Sequence, residues 1–218
     1  MPVTVKHVKP GPTCPRCAAP LRAPGLMTSD WQCDVHGVVF PMQPVAAPTV
    51  EGMRALARTS AVPVWALWPL PLGWVVTGVA HVGDDRSDIR AVAVACTGPA
   101  PLGGGADLVL VAEEPAIGLG ARYAGLAGPD PGTSVDVATP PHAKIQAGGH
   151  PTPLWSVETL PDRAAYVGEA AGLWLWAVFW PESAGHLLQD DIVLADLRDV
   201  GAEIELLPLG ALSPRLVP

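Results

Sequence analysis

The sequence predicts an α+β, β-rich fold in which a small N-terminal module precedes a mostly antiparallel β domain. Hydrophobic residues make up 49% of the 218 residues and charged residues 16%, which is enough apolar material for a core. Short apolar runs separated by turn residues fill residues 62–218, whereas a different, cysteine-containing pattern fills residues 1–44. The composition and these two patterns predict two unequal structural units.

The N-terminal module carries two pairs of metal-ligand residues. Cys14-Pro-Arg-Cys17 is followed, after fifteen residues, by Cys33-Asp-Val-His36. Each pair fits a tight knuckle that points both side chains at one ion, and the interval suffices for a hairpin between the knuckles. Thiolate and imidazole ligands suit tetrahedral Zn²⁺, and four protein ligands leave no open position for substrate. Residues 1–44 are therefore predicted to be a zinc ribbon with a structural rather than a catalytic Zn²⁺. Trp31 is expected to cover the hairpin.

A proline-containing linker with a short helix follows at residues 45–61. Thr49 is a candidate N-cap. Val50, Met53, Leu56 and Ala57 share one face at helical spacing, so the helix is expected to pack on the body.

The β domain is predicted to contain nine strands. A short helix is predicted at residues 116–126, a long loop at 138–153, and a helix or loop at 181–188. The strands are predicted at residues 62–68, 74–81, 89–96, 108–113, 154–158, 165–169, 173–180, 191–196 and 203–207.

Two stretches of the domain, residues 62–132 and 150–210, repeat similar short runs in the same order. Pro63-Val-Trp65 resembles Pro153-Leu-Trp155, and Asp107-Leu-Val-Leu-Val111 resembles Asp191-Ile-Val-Leu-Ala195. An internal duplication explains this order, and chance similarity between apolar strands explains it equally well.

The sequence favours a reduced, cytoplasmic environment and no membrane span. Cys96 lies in an apolar run, as a small buried residue would, so the cysteines do not form a disulfide framework. The first residues lack the apolar segment of a signal peptide. Residues 61–80 are uncharged, but Pro63, Pro69 and Pro71 would interrupt a helix, so two buried strands are the better interpretation.

The charge distribution disfavours nucleic acid as a partner. Residues 1–44 carry a formal +2, whereas the remainder carries nine basic and nineteen acidic residues. Contact with nucleic acid or the transcription machinery is possible only through Lys6, Lys9, Arg16 and Arg22 of the ribbon. The alternative is that these charges offset the negative charge of a zinc–thiolate centre.

A ligand site in the β domain is predicted at a cleft formed by His81, Arg122, His142 and Lys144. His142 and Lys144 belong to the long loop, and long loops in compact domains are often functional. An alternative is a hydrolase or transferase site near His81, Asp84, Asp85 and His142. The competing interpretations are a solvated turn at residues 83–88 and an ordered surface loop at 138–153.

Nucleotide and serine-hydrolase motifs are incomplete. The run Gly118-Leu-Gly-Ala-Arg-Tyr-Ala-Gly125 has tyrosine where the dinucleotide fingerprint requires glycine, and Glu182-Ser183 lacks the glycine of a nucleophile elbow. The eight tryptophans predict either core packing or an exposed aromatic surface.

Several runs together resemble an uncharacterised actinobacterial family classed as a domain of unknown function. The resemblance covers nearly the whole chain and implies an architecture and an intracellular origin, but no substrate. From the residues themselves, we expect a cytoplasmic protein whose acidic, β-rich body binds a protein partner or a small ligand. The runs include Cys14–Cys17, Asp30–Gly37, Trp68–Trp74, Thr77–His81, Gly118–Gly125, Pro140–Lys144, Asp196–Asp199 and Gly210–Arg215.

Overall fold

The computed structural model describes residues 11–26, 28–135 and 138–217. It contains the strands β1 (Gln32–Cys33), β2 (Gly37–Val38), β3 (Trp65–Leu67), β4 (Val75–Asp84), β5 (Asp88–Pro99), β6 (Gly105–Glu113), β7 (Ala143–Ala147), β8 (His150–Val157), β9 (Ala164–Ala170), β10 (Leu173–Trp180) and β11 (Val193–Asp196). The α-helices are α1 (Val50–Thr59), α2 (Leu119–Ala124) and α3 (Leu197–Val200). The 3₁₀ helices are Gly132–Ser134, Glu182–Gln189 and Gly201–Leu206.

The strands form a two-stranded sheet and a curled nine-stranded sheet. The large sheet has the order β3-β11-β7-β8-β9-β10-β6-β5-β4. Its neighbours are antiparallel except for β11 and β7, which pair in parallel. The predicted β-rich fold class, with a small N-terminal unit and a mostly antiparallel sheet, is confirmed.

Both faces of the central strands are buried, which explains their nearly continuous apolar sequences. In β10, Leu175 and Phe179 belong to the core on one face, whereas Trp176 and Trp180 belong to the core on the other. β5 and β6 alternate between the two cores in the same way. Because each face is covered, the usual alternation of apolar and polar residues is lost.

Helix α1 begins and packs as its sequence predicts. The Thr49 hydroxyl accepts a hydrogen bond of 3.0 Å from the Gly52 amide, and Met53, Leu56 and Ala57 are buried. The preceding linker also pairs with the sheet, because Met42 and Ala46 form β-bridges with Val82 and Val79 of β4.

Two strand assignments differ from the sequence-based ones. Residues 203–207 lie mostly in a 3₁₀ helix, where Ile204 and Leu207 are buried and Leu206 is exposed. The long loop predicted at 138–153 contains β7 and the start of β8, joined at Gly148 and Gly149. Pro151 and Pro153 led the sequence analysis to assign the start of β8 to the loop. A proline is nevertheless tolerated in a strand where no ladder hydrogen bond is needed.

The predicted duplication is supported only by one hairpin in each half. β4–β5 and β9–β10 are both antiparallel hairpins, but β6 continues from β5 whereas β11 pairs with β3 and β7. The two-halves interpretation therefore stays a prediction.

The uncharged stretch at residues 61–80 forms β3, a proline-containing turn and part of β4. Among the described residues, no helix is long and apolar enough to cross a membrane.

Candidate metal centre

The first knuckle brings Cys14 and Cys17 to the same side of a tight turn. The Ala18 amide donates to the Cys14 carbonyl at 2.8 Å, and the Cys14 amide donates to the Ala19 carbonyl at 2.8 Å. The second knuckle connects β1 to β2, and Gly37 closes it with a positive φ of 70°, a conformation that favours glycine.

The hairpin brings four ligand atoms from the two knuckles into one cluster. The ligand atoms of Cys14, Cys17, Cys33 and His36 all lie within 4.8 Å of one another. The His36 Nδ1 is 3.6 Å from the Sγ atoms of both Cys14 and Cys33, and the Cys17 and Cys33 Sγ atoms are 3.6 Å apart.

These separations match a tetrahedral metal centre. Zinc–sulfur bonds of about 2.3 Å and zinc–nitrogen bonds of about 2.1 Å place tetrahedral ligands roughly 3.5–3.8 Å apart. The four side chains could therefore hold one metal ion.

Backbone amides also prepare the sulfur atoms for a thiolate state. The amides of Arg16 and Cys17 donate to the Cys14 Sγ, although burial raises the pKa of that thiol to about 11. Burial also acts to raise the pKa of Cys33, but the Val35 and His36 amides and the His36 side chain hold it at about 6. Such amide donors are typical of thiolates that ligate a metal.

The ribbon is anchored to the sheet through side chains beside its ligands. Arg16, between Cys14 and Cys17, donates to the carbonyls of Ala116 at 2.5 Å and Ile117 at 3.3 Å. Trp31 was expected to cover the hairpin, but its indole N–H donates to the Asp84 carboxylate at 2.8 Å. Leu21 and Val39 pack against the buried cysteines instead.

The Arg16 contact adjoins a buried acid that sequence reasoning missed. Glu113, at the end of β6, is completely buried and accepts from the Leu119 amide at 2.7 Å and the Gly120 amide at 3.1 Å. Burial raises the pKa of Glu113 to about 8 despite these donors. A carboxylate that ends an apolar strand just before a glycine-rich helix start was the available signal.

His81, Asp84 and Asp85 lie around one end of β4, but their groups do not converge on a single point. His81 lines a cavity of about 630 Å³ with both aspartates, and burial lowers its pKa. The Asp84 carboxylate accepts from Trp31, from the Ser87 hydroxyl and from the amides of Arg86 and Ser87. These bonds give Asp84 the role of a turn-stabilising residue.

His142 lines a second cavity, of about 450 Å³. The sequence did not predict that the other residues of this cavity lie together. Tyr166, Glu182, Ser183 and His186 line the same cavity. The His142 Nδ1 accepts from the Ser156 amide at 3.2 Å. Lys144 is exposed on β7 and does not line this cavity.

Arg122 lines a third cavity, of about 360 Å³, beside Cys17. The cleft predicted from His81, Arg122, His142 and Lys144 is therefore not formed, because three of these residues line different cavities and the fourth lines none of the three. His81, Asp84 and Asp85 of the enzyme alternative line one cavity, but His142 lines another, so the four residues are not brought together. β4 and β7 stand far apart in the strand order, which sequence spacing could not reveal.

The tryptophans serve the core rather than an aromatic surface. Trp65, Trp74, Trp176 and Trp180 are buried, and the other four are half-buried. The core interpretation of the tryptophan content is confirmed.

Comparison with known proteins identifies a family but no characterised relative. No curated protein and no solved structure matches the chain. The model of a family of unknown function, DUF6758, matches residues 8–216, which span nearly the whole chain and include all four cysteine and histidine ligands. The chain therefore belongs to the DUF6758 family.

Proposed function

We propose that this protein binds one structural Zn²⁺ and is a binding protein for a small ligand. The single observation that carries the zinc assignment is the cluster of Cys14, Cys17, Cys33 and His36, whose ligand atoms lie within 4.8 Å of one another. Three thiolates and one imidazole favour zinc over magnesium or calcium, which prefer oxygen ligands.

The metal's role in this proposal is to hold the ribbon in the shape that contacts the sheet. Arg16 and Trp31 form the contacts to the Ala116–Ile117 carbonyls and to Asp84, and both side chains depend on the position of the knuckles. Structural zinc sites contribute directly to folding, because the unfolded chain has no preformed site.

Small-ligand binding is favoured over a protein interface because no tryptophan of the described chain is exposed. Cavities of about 360–630 Å³ lie at the ribbon–sheet junction and on the sheet, within the size range of small-molecule sites.

A cytoplasmic location and an actinobacterial origin belong to the same proposal. Thiolate ligands persist most readily in a reducing compartment.

Nucleic-acid binding through the ribbon has less support. Arg16 is occupied by two carbonyls, and Arg22 pairs with Asp34 at 2.8 Å. Lys6 and Lys9 lie outside the described residues. A phosphate-binding face needs clustered cations that are free to contact the backbone of a nucleic acid.

Metal analysis of purified variants tests the zinc assignment. The wild-type protein is expected to contain about one zinc per chain, and Cys17→Ser well below one, because a missing ligand opens the coordination shell. Cys96→Ala is the matched control, since Cys96 is buried in the sheet core and is not one of the four clustered ligands. Unchanged zinc content in Cys17→Ser would refute the assignment.

A further inference from the structure

Three arginines meet at one cavity beside the metal cluster. Arg122, Arg163 and Arg215 line a space of about 360 Å³ together with Tyr123 and Trp180. We call this space the arginine cavity. Cys17 and Ala18 of the first knuckle form one wall, and Pro214 and Val217 of the C-terminal segment another.

The charge of this cavity is opposite to that of the protein. The chain has a formal net charge of −8, yet no carboxylate is present among the described residues that line the cavity. Asp162 pairs with Arg163 at 2.7 Å and Asp107 pairs with Arg215 at 3.1 Å from outside it. Arg122 has no carboxylate partner within the described chain. Arg122 therefore supplies the positive charge that is left unpaired, and such a charge attracts anions even on an acidic protein.

The arginines keep donors free for a ligand. Arg215 donates to Asp107 through Nε, and in the described structure its terminal nitrogens have no protein acceptor. Arg163 is fixed by the Tyr123 carbonyl at 2.7 Å, and both Arg163 and Arg215 lie over the Trp180 ring at 5.1 Å from its centroid. Guanidinium groups held in this way are preorganised for oxyanion recognition.

Three polar groups of the cavity residues also lack a partner. The Arg122 Nε, the Tyr123 hydroxyl and the Trp180 Nε1 are buried and form no hydrogen bond with described residues. Tyr123 is 5% exposed and Trp180 is 3% exposed. Because these three atoms are almost inaccessible, they do not serve as contacts for a ligand, and the donors left for one are the terminal nitrogens of the arginines.

We infer that the arginine cavity binds an oxyanion, the phosphate or carboxylate group of a small molecule. The terminal nitrogens of Arg215 and Arg122 make the contacts to the anion. This inference rests on the proposed function, because the wall formed by Cys17 and Ala18 requires a folded ribbon.

In an alternative role, these arginines only offset the negative charge of the metal centre. Three thiolates around a dication leave a net charge of −1, and Cys17 is beside Arg122 in the cavity wall. That role requires no free donors on Arg215 and predicts no anion binding. Binding measurements therefore separate the two roles.

Calorimetric titration of the zinc-loaded protein at constant ionic strength, in separate arms with inorganic phosphate and with citrate, tests the inference. At least one arm is expected to show saturable binding, and the arm that binds more tightly assigns the phosphate or carboxylate source. Arg215→Gln is expected to weaken binding at least tenfold.

Arg58→Gln is the matched control, since Arg58 is exposed on α1 and does not line the cavity. The inference is overturned if neither anion binds at millimolar concentration, or if Arg215→Gln binds as the control does. Zinc is measured in every sample. A zinc-loaded protein that binds no anion removes only this inference, whereas a protein without zinc removes the proposed function.

Discussion

Glu113 is the residue whose environment departs most from its sequence appearance. Its carboxyl group is fully buried between β6 and the start of α2, where it satisfies the Leu119 and Gly120 amides. Loss of these bonds would leave two amide donors buried without acceptors. The carboxyl group therefore fixes the start of α2. The segment just before α2 contacts the ribbon, because the Ala116 and Ile117 carbonyls accept hydrogen bonds from Arg16.

The raised pKa of Glu113 predicts that the free energy of unfolding decreases as the pH rises. Its pKa is about 8 in the folded protein, compared with 4.5 for the free side chain, so the folded state binds more protons between these values. Stability contributed by the protonated form is complete below about pH 4.5 and is lost as pH approaches and passes 8. The maximal slope is about 1.4 kcal/mol per pH unit.

Denaturant unfolding of Glu113→Gln from pH 5.5 to 8.5 measures this contribution. Glutamine supplies an acceptor oxygen for only one of the two amides and does not titrate, so the variant is expected to be less stable than the wild-type protein but to lack its decline with pH. The metal ligands titrate equally in both proteins, and their effect cancels in the difference. Parallel pH profiles for the two proteins would contradict a raised pKa at Glu113.

At the scale of elements, the contact between α2 and β10 depends on a glycine. A Cβ atom at Gly120 would lie 2.2–2.5 Å from the Trp176 indole. Neither partner can move easily, because Trp176 is fully buried and α2 is held by Glu113. Close packing of the helix against a large ring thus explains why this short helix has a glycine at its second position.

Gly120→Ala is expected to destabilise the protein by about 1–3 kcal/mol. Alanine favours a helix by about 1 kcal/mol over glycine, so a stabilised variant would show that the clash is absent. Gly105→Ala is the control, since no atom lies within 4 Å of its Cβ position. Its unfolding free energy, measured by denaturant titration, is expected to stay unchanged or to rise slightly.

At the scale of the whole molecule, the sequence was informative wherever the signal is local. The four metal ligands could be predicted because each pair lies within a single turn, and α1 because its cap and apolar face adjoin in sequence. β7 could not be predicted, because it contains the exposed residues Lys144 and Gln146 and is followed by prolines. This strand is stabilised only by tertiary pairing with β8 and β11.

The candidate sites outside the ribbon illustrate the same limit. Arg122, Arg163 and Arg215 come from three distant segments, and only the tertiary fold brings them together with Cys17. His81 and His142 looked equivalent in sequence, but His81 lies in β4 and His142 directly precedes β7, and these strands are far apart in the order. Convergence of side chains from separate strands depends on topology, which short-range patterns do not encode.

X-ray absorption at the zinc edge of the purified protein tests the central claim most directly. The account predicts about one zinc per chain, with three sulfur neighbours at about 2.3 Å and one nitrogen neighbour at about 2.0–2.1 Å. Cys14, Cys17, Cys33 and His36 supply these four atoms. A bound zinc with fewer than three sulfur neighbours, or with a water oxygen in its shell, would contradict the closed structural site.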